Sequence, residues 1–174
     1  IPTYKLFGEK ELWPAADLVH HETIAARSSL YDWEITPHSH DNLLQILFLQ
    51  EGHAGMTVET QVETLATPCI VMMPPRRVHG FAFSPDVVGH IVTLPHFLLG
   101  ELLVLSPELR EDLNAARYHP LADDAEGLAL LSGHFALFSR EYGQARAGRA
   151  SVMMAILTQI LVWLARARGA ASER

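Results

Sequence analysis

Residues 32–52 read DWEITPHSHDNLLQILFLQEG, and this stretch decides the fold. Side chains alternate between the two faces of a β-strand. Residues 43–49 are apolar on both parities except at Gln45. Such a strand is buried on both sides, with one face toward a lumen and the other toward a covering layer. Pro37 precedes it and Glu51-Gly52 ends it, which are turn signals. Further segments of the same texture flank it, rich in Val, Ile, Leu, Phe and Thr, and predict strands over residues 20–26, 33–36, 53–59, 62–65, 69–73, 80–83 and 88–94. About eight short strands at near-regular spacing predict a barrel or double-sheet jelly roll.

After Leu94 the texture turns helical. Ser106 reads as an N-cap with Pro107 at the first helical position. Asp123, Asp124 and Glu126 open the next helix, whose apolar positions are Leu128, Leu131, Phe135, Phe138 and Tyr142; Gly143 suits its end. A last helix is predicted over 148–168, with Met153, Leu157, Ile160 and Leu164 in one stripe that Ile156 and Trp163 widen. The fold class is therefore mainly β with C-terminal α. Three parts follow: an N-terminal arm at 1–18, a barrel at 19–95, and a helical segment at 96–174.

Composition bounds the function. The chain has 174 residues, 49% of them hydrophobic, enough for one compact domain with a core. A net charge of −7 argues against gripping a phosphate backbone. That charge is unevenly placed: residues 1–126 carry 18 acids and 7 bases, and residues 127–174 carry 2 acids and 6 bases. One cysteine, Cys69, excludes an intrachain disulfide and fits a reducing, cytoplasmic compartment. No signal-peptide pattern opens the chain at Ile1-Pro2-Thr3-Tyr4. The longest mostly apolar run, 152–165, is shorter than the ~20 residues a bilayer span needs, so no membrane partner is expected.

Ten histidines are present, and their placement matters more than their number. His38 and His40 stand at i and i+2, so a strand puts them on one face. Gln45 follows, then Gly52, and Pro74-Pro75-Arg76-Arg77-Val78-His79 supplies a third histidine beyond a proline turn. Imidazoles converging in a lumen suit zinc, iron, nickel or copper and leave a position open for substrate. They equally suit a phenol or carboxylate effector, since a neutral imidazole donates or accepts a hydrogen bond. Plain polar residues at a barrel mouth are the third reading.

This pattern resembles the cupin family, matching it at His38, His40, Gly52, Pro74 and His79. It departs at Gln45, where a metal-binding cupin usually has Glu; a neutral ligand favours a small-molecule pocket over a catalytic metal. The stretch PCIVMMPPRRVHGFAF with two following helices is similar to the effector-binding N-terminal half of AraC-family transcription regulators. Within that family YKLFGE, HETIAARS, DWEITPHSHDNLLQILFLQEG and FSPDVVGHIVTL resemble the PobR-type regulators of hydroxybenzoate catabolism. The resemblance implies a sensor that binds 3- or 4-hydroxybenzoate without a cofactor, homodimerises through helix 148–168, and reaches DNA through a helix-turn-helix half absent from this chain. The tail ARGAASER reads as a linker toward it.

Candidate effector-binding residues follow. His38, His40, Gln45 and His79 would set orientation, and Arg76 or Arg77 would hold a carboxylate, with Arg27 as a further guanidinium. Phe81 shares a strand face with His79 and would stack on an aromatic ring; Trp33 would add an apolar wall. The alternative is a metal-dependent cupin enzyme, a dioxygenase or isomerase, with His38, His40 and His79 as ligands. No nucleophile motif, P-loop or dinucleotide fingerprint is present.

Overall fold

The structure, a computed structural model, describes residues 18–172. Nine strands are present among these residues: β1 His20–Thr23, β2 Glu34–His38, β3 Leu43–Glu51, β4 Ala54–Val58, β5 Gln61–Leu65, β6 Cys69–Met73, β7 His79–Phe83, β8 Val88–Pro95 and β9 Arg117–Pro120. They form two antiparallel sheets, in the orders β1-β8-β3-β6-β9 and β2-β7-β4-β5. Helices α1 Ile24–Ser28 and α2 Leu98–Leu102 are single turns, whereas α3 Ala125–Tyr142 and α4 Arg149–Ser172 are long. The mainly-β fold with C-terminal helices is thus as the sequence predicts.

β3 lies at the centre of the larger sheet, between β8 and β6. Its even residues Leu44, Ile46 and Phe48 belong to a core shared with Leu131, Phe135 and Phe138 of α3 and Leu157, Ile160 and Leu164 of α4. Its odd residues Leu47 and Leu49 belong to a second core, the lumen, with Met56, Met73, Phe81, Phe83 and Ile91. The double-sided burial read from residues 43–49 is therefore a division between helices and lumen. Phe48 and Phe135 stack at 4.9 Å with planes 19° apart, which pins α3 to the sheet. Gly52 ends β3 at φ +87, and a Cβ there would lie 2.6 Å from the Val87 Cα, so glycine is required by both geometry and space.

Four local readings change. The strand predicted over 20–26 stops at Thr23, whose hydroxyl accepts from the Ala26 backbone N–H at 3.1 Å and caps α1 instead. Ser106 makes no side-chain cap, and Pro107–Leu113 is a 3₁₀ segment. Strand β9 was not legible among the predicted helices: it is four residues long and exists through its pairing with β6. The last helix runs past Gly169 to Ser172, through most of the tail read as a linker. Asp124 does cap α3, accepting from the Gly127 N–H at 2.8 Å. The arm at 1–18 lies outside the described residues except for Leu18, which packs on the helix-side core.

Arg149–Ala167 is long and apolar enough to cross a membrane by length and composition, a longer stretch than 152–165. Its apolarity has a local use: Met153, Ile156, Leu157, Ile160, Leu161 and Leu164 are buried in the helix-side core. Apolar residues left exposed on the helices include Leu130, Leu137 and Val152.

Replacing Phe135 by Ala removes a fully buried ring from the sheet–helix seam and is expected to destabilise the chain by ~3–5 kcal/mol, read from urea denaturation followed by far-UV circular dichroism. Asp124→Ala, which removes only the α3 cap, is expected to cost ~1 kcal/mol in the same measurement.

Candidate functional site

The site forms where the two sheets face each other. Pairing of β2 with β7 sets His38 opposite His79 and Ile35 opposite Phe81. His40 follows His38 by two residues, and the Arg76 backbone N–H donates to the His40 carbonyl at 2.7 Å, tying the proline turn to this segment. From the other sheet comes Gln45 of β3, paired in register with Thr93 of β8 and Met73 of β6. His38, His40, Gln45 and His79 are all buried.

The ring nitrogens have defined roles. His38 Nδ1 donates to the Thr36 carbonyl at 2.9 Å, and His79 Nδ1 donates to the Arg77 carbonyl at 2.8 Å. A carbonyl only accepts, so in the neutral rings both Nε2 atoms keep their lone pairs. His38 Nε2 lies 3.2 Å from His40 Nε2, and His79 Nε2 lies 3.1 Å from Gln45 Oε1. The other end of the Gln45 amide donates to Thr93 Oγ1 at 3.2 Å. Two arrangements satisfy this geometry. Turning the amide over gives a chain in which Thr93 donates to Gln45 and Gln45 to His79. With the amide as placed, an oxygen lone pair faces an imidazole lone pair, which a cation would relieve.

Burial keeps His38 and His79 neutral. It holds His79 down to about 3, against the raising effect of the hydrogen bond that its Nδ1 donates to the Arg77 carbonyl; a positive charge on His38 or His40 would lower it further. Burial also lowers His38, and the Arg27 charge lowers it further. Rings that resist protonation in this way present lone pairs rather than charge.

Beside the cluster a void of about 10 Å³ is lined by Glu22, Arg27, Ile35, His38, Gln45, Leu47, Phe81 and Ile91. That holds one water at most, so the lumen side chains must move apart to admit any organic molecule. Of the candidates, His38, Gln45, Phe81 and Arg27 line this void, and His40 and His79 contact it through the cluster. Phe81 stacks on Phe83 at 5.6 Å and meets His79 edge-on at 6.0 Å. Trp33 packs against the lumen core but is not on the void's wall.

The expected carboxylate partners change place. Arg76 and Arg77 lie on an exposed turn, Arg76 at φ 61, with the Arg77 guanidinium 3.9 Å from Glu59. The turn that delivers His79 inward projects its arginines outward. Arg27, given lower standing from sequence, is the arginine on the void, and its Nε lies 3.9 Å from Glu22 Oε1. Glu22 and Thr93 were missed. An acid inside an apolar strand was a signal available for Glu22; Thr93 is found only from register.

The cluster's donors fit a metal ion. One ring nitrogen of each histidine lies within 4.8 Å of the others', and backbone carbonyls anchor the Nδ1 atoms of His38 and His79, as in outer-shell support of metal-ligating imidazoles.

Two antiparallel sheets facing each other across a filled lumen, with helices packed on the back of one of them, make a cupin-type barrel. Residues 20–161 match the family described as AraC-like ligand binding domain, and the chain belongs to that family. No curated protein matches it by sequence. Similar solved structures include ToxT from Vibrio cholerae O395, at 7% identity and TM-score 0.49, covering 86% of this chain and 55% of that one. The AraC-like transcriptional activator CuxR is 12% identical, with TM-score 0.43, over 70% of this chain and 43% of its own. A cupin superfamily protein from Desulfitobacterium hafniense DCB-2 is 13% identical, with TM-score 0.30, over 36% of this chain and 55% of that one. The match therefore covers only about half the length of each of these proteins.

The depressed His79 gives a pH dependence with a definite sign. Its folded value lies below the 6.5 of the free side chain, so the unfolded state binds the proton more readily. Stability from this group is full above pH 6.5 and is lost as pH falls from there toward about 3. The unfolding free energy from urea denaturation is expected to fall between pH 7.5 and pH 5 by on the order of 2 kcal/mol, and His79→Gln is expected to flatten that slope.

Proposed function

We propose that this chain is the effector-sensing part of a transcriptional regulator, not an enzyme, and that its lumen binds a small aromatic carboxylate. The observation that carries the reading is Arg27 on the wall of a void otherwise lined by apolar side chains, neutral polar groups and its own partner Glu22. A guanidinium in that position suits a carboxylate, Phe81 suits an aromatic ring, and His38 with Gln45 suits a ring hydroxyl. The resemblance to PobR-type regulators supports 3- or 4-hydroxybenzoate within this class. Because the void holds about 10 Å³, effector must select an opened lumen, and its differential affinity for that state supplies the signal.

On this reading residues 19–95, with β9 completing the larger sheet, form the sensor; the 96–174 segment covers and connects it. Helix 148–168 joins two copies, supported by the exposed Leu130, Leu137 and Val152 on the helical layer. DNA is reached through a helix-turn-helix half outside this chain, in the cytoplasm.

The second reading is a metal-dependent cupin enzyme, favoured by the convergence of the His38, His40 and His79 nitrogens beside Gln45 Oε1. These residues would hold the metal, which would supply Lewis-acid or redox chemistry at its open position.

A thermal-shift panel of benzoate, 3-hydroxybenzoate, 4-hydroxybenzoate, protocatechuate and neutral sugars separates the readings. A hydroxybenzoate at 100 times its Kd is expected to stabilise by ~2.7 kcal/mol, and sugars not at all. Arg27→Ala is expected to abolish the shift. No shift with any aromatic acid overturns the effector assignment. Stoichiometric transition metal in protein purified without added metal, lost in the His38→Ala, His40→Ala double variant, would establish the second reading instead.

A further inference from the structure

Glu22 is an unusual lumen residue. Register fixes its direction: in the β1–β8 pairing Glu22 faces Ile91, a lumen residue, while its neighbour His21 faces Val92, a residue of the helix-side core. The Glu22 side chain is only 20% exposed. Its Oε1 is buried and makes no hydrogen bond, although Arg27 Nε stands 3.9 Å away. That is ion-pair distance without a hydrogen bond, an anion held loosely by the cation of the void. A carboxylate free to orient can do better, because guanidinium binds carboxylate best through two parallel N–H···O contacts.

The second Glu22 oxygen points to the helical layer. Glu22 Oε2 lies 3.6 Å from His20 Nε2, and His20 Nδ1 lies 3.1 Å from the Tyr142 hydroxyl at the end of α3. Tyr142 O–H can donate to Nδ1 only when the His20 proton sits on Nε2, facing Glu22. The adjacent His21 is packed against the same helix: its ring lies 5.9 Å from Phe138 and 5.6 Å from Tyr142, and its Nε2 is 3.0 Å from His90 Nδ1. Strand β1 therefore touches the lumen through Glu22 and α3 through His20 and His21.

We infer that Glu22 is a built-in competitor for the anion position of the lumen: an incoming monocarboxylate takes Arg27 from Glu22, and the released Glu22 closes on His20, so that β1 reports occupancy to α3. This rests on the reading of the lumen as an effector site and adds to it the residue that tunes affinity and the route by which occupancy leaves the pocket. Removing the Glu22 charge takes away the anion that stands beside Arg27 on the void, which favours an anionic ligand and leaves a neutral isostere untouched.

The test titrates benzoate and benzamide calorimetrically into the 174-residue chain and into its Glu22→Gln and Arg27→Gln variants. Glu22→Gln is nearly isosteric, and Glu22→Ala stands in for it if its melting curve shows loss of fold. Benzoate is expected to bind Glu22→Gln about five- to tenfold more tightly than the native chain and to lose its affinity in Arg27→Gln. Any benzamide affinity is expected to be equal in native and Glu22→Gln protein. In ¹H–¹³C spectra, with the His20 signal assigned by its loss in His20→Gln, benzoate is expected to shift His20 in the native chain and not in Glu22→Gln. Equal benzoate affinity in native and Glu22→Gln chains, or a His20 shift that persists in the variant, overturns the competitor role while leaving the effector site standing. No benzoate binding by any of these chains overturns both.

Discussion

β3 is buried on both faces, and both cores of the molecule are built on it. Leu44, Ile46 and Phe48 hold the helices; Leu47 and Leu49 fill the lumen. Burying a single aliphatic side chain stabilises by ~1.5–3 kcal/mol, so two faces of one strand commit a large share of the folding energy to one register. A slip by one residue would turn Gln45 toward α3 and bring Phe48 into the lumen. Gln45 is the one polar side chain on this strand's buried length, and it lies in the lumen parity, where Thr93 and His79 supply its partners. A buried amide without those partners would cost more than the hydrogen bonds return, so site and register specify each other.

Charge in the lumen is handled sparingly. Three imidazoles lie close together, and burial keeps His38 and His79 neutral. A full charge pair on the void, Arg27 with Glu22, stands at the sheet edge, where β1 and α1 meet. Charges there keep part of their hydration, which lowers the desolvation cost of holding them. The same edge is in contact with α3 through His20 and His21.

The small void and the helical cover bear on function together. A lumen filled by Met56, Met73, Phe81 and Phe83 is stable without ligand, and Met side chains repack at little cost. Opening it moves side chains that rest on β3 and β8, whose opposite faces carry α3 and α4. Packed layers of this kind shift as units more readily than they deform.

Most of the fold was legible in the sequence, because it rests on period and punctuation. Alternation and turn residues placed eight of the strands, and the 3–4 spacing of Leu128, Leu131, Phe135, Phe138 and Tyr142 placed α3. The His38, His40, Gln45 and His79 set was legible from spacing and resemblance together. Sequence by itself determined which faces are apolar and which residues could meet. Tertiary structure decided what meets. The outward turn at Arg76 and Arg77, the inward place of Arg27, the pairing that creates β9, and the cross-strand neighbours Glu22 and Thr93 all follow from register and chain path between distant segments. Local periodicity carries no information about those distances, since a side chain's direction at a turn or a sheet edge is set by the strand that packs against it.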